Sequence, residues 1–206
     1  YRIEEEIYRS GKSLIFRAVH EADQAVVALK TLASEYPSRK EVARFQHEYH
    51  LTQSLGNAPG VIQTHALERA GNSFAMVMEH FDGINLAQHL QACRAAGKTP
   101  FFIETFLHLA IGVVDILKRI HQGQVIHKDV NPRNILWNEA TGAIRIIDFG
   151  IATELSGERQ ELGAQGLLEG SLVYISPEQT GRMNRQIDYR TDYYSLGVTL
   201  YELVTG

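Results

Sequence analysis

Apolar and polar positions alternate in two different rhythms along this chain. Two extended runs, 13–19 and 24–30, flank Glu21-Ala22-Asp23 and predict a hairpin of strands. From residue 39 the period lengthens: Val42, Phe45, Tyr49 and Thr52 recur at helical spacing and predict a helix over 39–55 with one shared face. Asn57-Ala58-Pro59-Gly60 breaks it. Two more strands are predicted over 61–69 and 73–79, with Ala70-Gly71-Asn72 as their turn. Beyond Phe81-Asp82-Gly83 the pattern becomes mostly helical. Residues 85–96 and 101–121 predict two helices, the longer with Leu107, Ile111, Val114 and Leu117 on one face. Short strands follow near 135–137 and 143–147, then a long polar loop over 152–170 and a last helix from about Asp192. A strand-rich front with one helix and a helix-rich back predict an α+β arrangement of two lobes with a cleft between them.

Composition narrows the function. At 44% hydrophobic and 21% charged over 206 residues, the chain can build one sizeable core or two small ones. A net charge of -4 without any basic run argues against a nucleic-acid partner or a membrane surface. Cys93 is the single cysteine, so an intrachain disulfide and a cysteine zinc site are excluded. The nine histidines are scattered, and we read them as surface residues rather than metal ligands. No signal peptide or membrane span is visible, and the expected location is cytoplasmic. Starting at Tyr1 and ending after an apolar run, the sequence is expected to be a piece of a longer protein.

Candidate chemistry clusters in three places. Val-Ile-His-Lys-Asp-Val-Asn-Pro-Arg-Asn at 125–134 sets Asp129 five residues before Asn134. Alone, Asp129 reads equally well as a turn carboxylate or as a proton acceptor. Asp148-Phe149-Gly150 closes an apolar strand, where Asp148 with the amide oxygen of Asn134 suits a magnesium ion that also binds phosphates. Lys30 ends the run Val26-Val27-Ala28-Leu29, and Glu48, mid-helix, is its expected carboxylate partner. A surface ion pair worth under ~1 kcal/mol is the bland alternative.

With these elements the chain resembles the protein kinase family from end to end. The third-strand lysine matches Lys30, its helix partner Glu48, the hinge Met78-Glu79-His80-Phe81 and the catalytic loop His127 to Asn134. Asp148 to Gly150 matches the metal-binding tripeptide, Ser176-Pro177-Glu178 the Ala-Pro-Glu element, and Asp192 to Gly197 the Asp-x-x-Ser-x-Gly helix start. The resemblance implies a bilobal kinase-like fold: an antiparallel-sheet N-lobe with one helix over 1–79, and a helical C-lobe over 80–206 that stops near its middle. It implies ATP and Mg2+ as cofactors. Asp129 would receive the acceptor hydroxyl's proton, Lys30 would hold the α- and β-phosphates, and Asn134 and Asp148 would bind the metal. Met78 would sit behind the adenine, the backbone of Glu79 and Phe81 would bond its edge, and Ala28 and Leu136 would sandwich the ring. Ser10, Gly11, Lys12, Ser13 and Ile15 fall at the phosphate loop. His127 and Phe149 are expected to pack. The run 176–206 is similar to the amino-terminal Ser/Thr kinase-like domain of bacterial hybrid sensor histidine kinases, which implies covalently linked downstream signalling domains.

Several positions depart from the family pattern. The three loop-glycine slots fall on Tyr8, Ser10 and Ser13, with Gly11 the one glycine present, although close approach of backbone to phosphate favours glycine. Gly11-Lys12-Ser13 is not a Walker motif, because the segment after it reads as strand. Lys128 stands where many kinases have arginine, and Asn131 where a phosphate-contacting lysine is usual, with Arg133 two residues on. The acidic loop argues against activation by loop phosphorylation. Ser171 occupies the place that contacts the catalytic aspartate in Ser/Thr kinases. Glu178, expected to be buried without its usual arginine, predicts a poorly stable fragment. The expected function is transfer of the ATP γ-phosphate to a Ser/Thr hydroxyl of a protein substrate; the alternative is a pseudokinase, a nucleotide-sensing or docking module.

Overall fold

The structure, a computed structural model, describes residues 1–155, 172–181 and 185–206. The chain forms two compact units, residues 1–56 with 62–82, and residues 57–61 with 83–206.

The first unit is a five-stranded antiparallel sheet with one helix. Its strands are β1 (Arg2–Arg9), β2 (Ser13–Val19), β3 (Val26–Leu32), β4 (Thr64–Ala70) and β5 (Ser73–Glu79), ordered β1-β2-β3-β5-β4. Alternation along β3 sends successive side chains to opposite faces. Val27 and Leu29 pack with Ala18 and Val77, whereas Ala28 packs with Met76, Met78 and Phe45 of helix α1 (Arg39–Ser54). Sequence pattern missed β1. All eight of its residues are exposed, and Glu4-Glu5-Glu6 hides any alternation, so pairing with β2 rather than burial makes it a strand. Ser38 starts α1 through a capping box: its hydroxyl accepts from the Glu41 N–H, and Glu41 accepts from the Ser38 N–H at 2.8 Å. The buried face is Phe45, Glu48, Leu51 and Thr52, rotated from the expected one so that Val42 and Tyr49 are only partly buried. Periodicity counts apolar residues and overlooks a buried glutamate.

The second unit carries β6 (Ile84–Asn85), α2 (Leu86–Ala95), α3 (Ile103–Gln122), β7 (Val125–Ile126), β8 (Ile135–Trp137), β9 (Ile144–Ile146), β10 (Thr153–Glu154) and α4 (Arg190–Thr205). Strands β6, β8 and β9 form one small sheet, β7 and β10 another. The strand expected from residue 61 begins only at Thr64. Val61 instead bridges Ile146, and the Gly60 carbonyl accepts the Ile146 N–H at 2.8 Å. Gly60 has φ +90, and a Cβ there would lie 2.3 Å from the Ile116 side chain, so both conformation and space demand glycine.

Helix α3 corrects another expectation. Of Leu107, Ile111, Val114 and Leu117, only Leu117 is buried; the buried set is Leu109, Val113, Ile116, Leu117 and Ile120. The helix is apolar on two sides, and periodicity cannot choose between them. The predicted loop 152–170 begins with β10 instead, and residues 156–171 of that region lie outside the described residues. Among the described residues no helix is long and apolar enough to cross a membrane.

Candidate active site

In the first unit, Lys30 lies two residues from Ala28 on β3 and therefore faces α1. Its Nζ donates to Glu48 Oε1 at 2.5 Å, with side chains only 9% and 8% exposed. The bland surface-pair reading is thus wrong. A buried pair loses about 3–5 kcal/mol when one partner is removed, because the other charge stays desolvated.

In the second unit, the segment between β7 and β8 holds Asp129 from both sides. Asn131 Nδ2 donates to Asp129 Oδ1 at 3.0 Å and to its carbonyl at 2.9 Å. Asn134 Nδ2 donates to Asp129 Oδ2 at 3.0 Å and to the same carbonyl at 2.9 Å. Each carboxylate oxygen therefore accepts one of these amide hydrogens. Both hydrogens of the Asn134 amide face Asp129, which leaves its oxygen for another partner. The Ile147 N–H, one residue before Asp148, donates to the Asn134 carbonyl at 3.0 Å. Asn134 and Asp148 supply hard oxygens of the kind magnesium takes, so the donor set fits that ion.

Asn131 is 1% exposed, and its Oδ1 accepts the Arg133 N–H at 2.9 Å, capping the 3-10 turn Pro132–Asn134. It clamps Asp129 and is too enclosed to stand in for a phosphate-reaching lysine.

Asp192 is the residue that sequence reading undervalued. At the start of α4 and 0% exposed, it accepts the His127 N–H at 2.9 Å, the Lys128 N–H at 2.7 Å and a bond from His121 Nε2 at 2.7 Å. Lys128 has φ +67, a left-handed conformation costing a non-glycine residue about 1 kcal/mol or more. The Asp192 carboxylate and the bond from Gln179 Nε2 to the Lys128 carbonyl at 2.9 Å hold it there. Asp148 is also left-handed, φ +66. His127 packs edge-on against Phe149, both fully buried, as expected of packing residues. Its Nε2 meets the Ile147 carbonyl at 3.1 Å while Nδ1 meets the Asp129 N–H at 3.3 Å, which selects the tautomer with hydrogen on Nε2. His127 and His121 are interior, so not all histidines are surface residues. Their signal in the sequence was weak, because their main partner, Asp192, lies more than 60 residues away.

The turn between β1 and β2 contains Ser10, Gly11 and Lys12. Ser10 Oγ accepts from the Lys12 N–H at 3.2 Å and the Ser13 N–H at 3.0 Å. Two amides at the expected phosphate loop are thus satisfied within the turn. Ser13 opens β2, which disposes of the Walker alternative. Ile15 pairs across to Lys30 and packs on the cluster of Ala28 and Met78. The Glu79 N–H donates to the Gln63 carbonyl at 2.9 Å; Phe81 follows β5 and is partly buried. Leu136 lies in β8, half-buried, opposite Arg145.

Glu178 is half-buried and accepts from Thr191 Oγ1 at 2.9 Å, so it is not the stranded carboxylate expected. Ser171 and most of the acidic loop, residues 156–171, lie outside the described residues. Tyr174 is described: burial, then its hydrogen bond to Glu202, raises its hydroxyl pKa well above the usual tyrosine range.

The sequence profile of the family described as Protein kinase domain matches residues 1–206. A probable serine/threonine-protein kinase of Clostridium perfringens is 32% identical over 207 residues, covering 100% of this chain and 29% of that protein. Another from Bifidobacterium longum is 30% identical over 210 residues, 100% of this chain and 26% of its own. Serine/threonine-protein kinase PrkC of Bacillus subtilis is 32% identical over 182 residues, 87% of this chain and 26% of its own. The chain spans under a third of the length of these relatives.

Proposed function

Because the chain belongs to the protein kinase family, we propose that it transfers the γ-phosphate of ATP to a Ser or Thr hydroxyl of a protein substrate. The observation that carries this reading is the Asp129 carboxylate, held by the amides of Asn131 and Asn134. In this reaction the acceptor oxygen forms a bond to the γ-phosphorus, the bond to the β–γ bridging oxygen breaks, ADP leaves, and the hydroxyl proton passes to Asp129. Lys30, steadied by Glu48, holds the α- and β-phosphates. Asn134 and Asp148 would hold magnesium, which when bound neutralises phosphate charge. Met78, Glu79, Phe81, Ala28, Ile15 and Leu136 are assigned to the adenine, and the Ser10 to Ser13 turn to the phosphates. Residues 1–79 and 80–206 are read as the two lobes. The likeness of 176–206 to kinase-like domains of hybrid sensor histidine kinases supports a role in a larger cytoplasmic signalling protein with linked downstream domains.

A second reading, a nucleotide-sensing module without transfer, is favoured by the engaged Lys12 and Ser13 amides and by the enclosed Asn131. The test uses the full-length protein with ATP, magnesium and a generic protein acceptor. Asp129→Asn is expected to lower transfer at least about a hundredfold while ATP binding persists. Equal ATP binding with no transfer by either protein establishes the sensing module.

A further inference from the structure

We propose that a cleft between the C-terminal end of α3, β7 and the start of α4 binds a small aromatic carboxylate. The cleft lies wholly within the second unit, on residues that the reading above leaves without ATP, magnesium or protein acceptor. Its volume is about 410 Å3, within the range of small-molecule sites. The floor is apolar. Val125 and Ile126 of β7 are buried, and Leu155, just past β10, is tied alongside by its N–H, which donates to the Gln124 carbonyl at 2.8 Å. The wall above it is aromatic. The rings of His121 and Tyr193 are 5.3 Å apart, those of His121 and Tyr189 5.9 Å, and those of the two tyrosines 6.0 Å. His121 is held in place through Nε2 by Asp192, whereas the tyrosines are 46% and 44% exposed. A ring entering the cleft packs against them and removes apolar surface from water on both sides.

Charge decides the rest of the ligand. Among the described residues lining the cleft, Lys118 is the one Lys, Arg, Asp or Glu, and the amides of Gln122 and Gln124 are neutral. Lys118 is exposed and, among the described residues, makes no ion pair or hydrogen bond. The acids nearby in the chain or behind the wall are already engaged. Asp192 is fully buried and accepts from His121 and from the N–H groups of His127 and Lys128. Asp188, next to Tyr189, accepts from the Arg190 guanidinium at 2.9 Å. The cleft therefore offers a cation no carboxylate and offers an anion one ammonium. A lone ammonium beside apolar and aromatic walls suits a single negative charge on an apolar body. It does not suit a phosphate, which carries more charge and more acceptor oxygens than one lysine can meet.

Binding is read without turnover, so the test is independent of phosphoryl transfer. Full-length protein is titrated with 3-phenylpropionate, its uncharged amide, hexanoate and 3-phenylpropylamine, using ligand-observed NMR and calorimetry. The phenylpropionate is expected to bind with a Kd of about 1 mM or tighter, and to remain bound under a saturating non-hydrolysable ATP analogue with magnesium. The amide, which lacks the charge, and hexanoate, which lacks the ring, should bind about three- to fivefold more weakly, and the amine more weakly still. Lys118→Gln should lower the affinity for phenylpropionate to that for the amide and leave the amide unchanged. Tyr189→Ala should weaken both aryl probes about fivefold. Lys118 is an exposed helical position, so the charge test stands even where Tyr189→Ala fails to fold. The proposal is overturned by absence of binding to wild type, by equal affinity for all four probes, by displacement with the ATP analogue, or by a Lys118→Gln protein that binds phenylpropionate as wild type does.

Discussion

The β1–β2 turn and the segment from His127 to Asn134 were both expected to serve phosphate chemistry, yet they are built in opposite ways. The turn is local. Ser10 bonds residues two and three positions ahead, β1 beside it is exposed throughout, and the bond from outside is the partly buried Ala33 N–H to the Lys12 carbonyl at 2.9 Å. The second segment is assembled from a distance: Asp192 supports it from α4, Gln179 from the 3-10 turn Pro177–Thr180, and Ile147 from just past β9. A local turn tolerates the loss of glycine because its own hydroxyl can replace the missing partner of an amide. A segment held by buried charge tolerates little, since each lost bond strands a desolvated group.

The sharpest way to break this contrast is Asp192→Ala. It is expected to destabilise the protein by about 3–5 kcal/mol and to abolish transfer, measured by denaturant unfolding and by activity. A loss near that of a surface mutation would show that the His127–Asn134 segment does not depend on α4. Glu48→Gln comes next: the neutral amide leaves the Lys30 ammonium without a counter-charge, and kcat/KM for ATP should fall about ten- to a hundredfold. An unchanged value would remove Lys30 from phosphate binding.

Tyr174 tests the loop's surroundings by pH. Its folded-state pKa is raised, first by burial and then by Glu202. The stabilisation is therefore complete below the unfolded tyrosine pKa of about 10 and declines as pH rises above it toward the folded value. Unfolding midpoints between pH 8 and 11 should decline more steeply in wild type than in Tyr174→Phe; parallel curves would refute this. The smallest effect is expected at Ser10→Gly, which frees the Lys12 and Ser13 amides. ATP affinity should tighten about two- to fivefold in calorimetry, with stability changed by under ~1 kcal/mol. Weaker binding would show that the Ser10 hydroxyl itself grips the nucleotide.

Sequence alone determined what is periodic or tightly spaced. The hairpin, the helix over 39–55, β5 to the residue, the helix following Asn85 and the α+β order were legible because strand and helix periods are written in neighbouring residues. Asp129, Asn134 and Asp148 were legible as candidates by their spacing. Only the tertiary structure decided which of the two apolar sides of α3 is buried, that β1 is a strand despite its glutamates, that Glu48 is interior, and that Asn131 serves Asp129. It also decided the part played by Asp192. These outcomes depend on partners far apart in the chain, where desolvation and hydrogen-bond satisfaction select among faces that local pattern leaves equivalent.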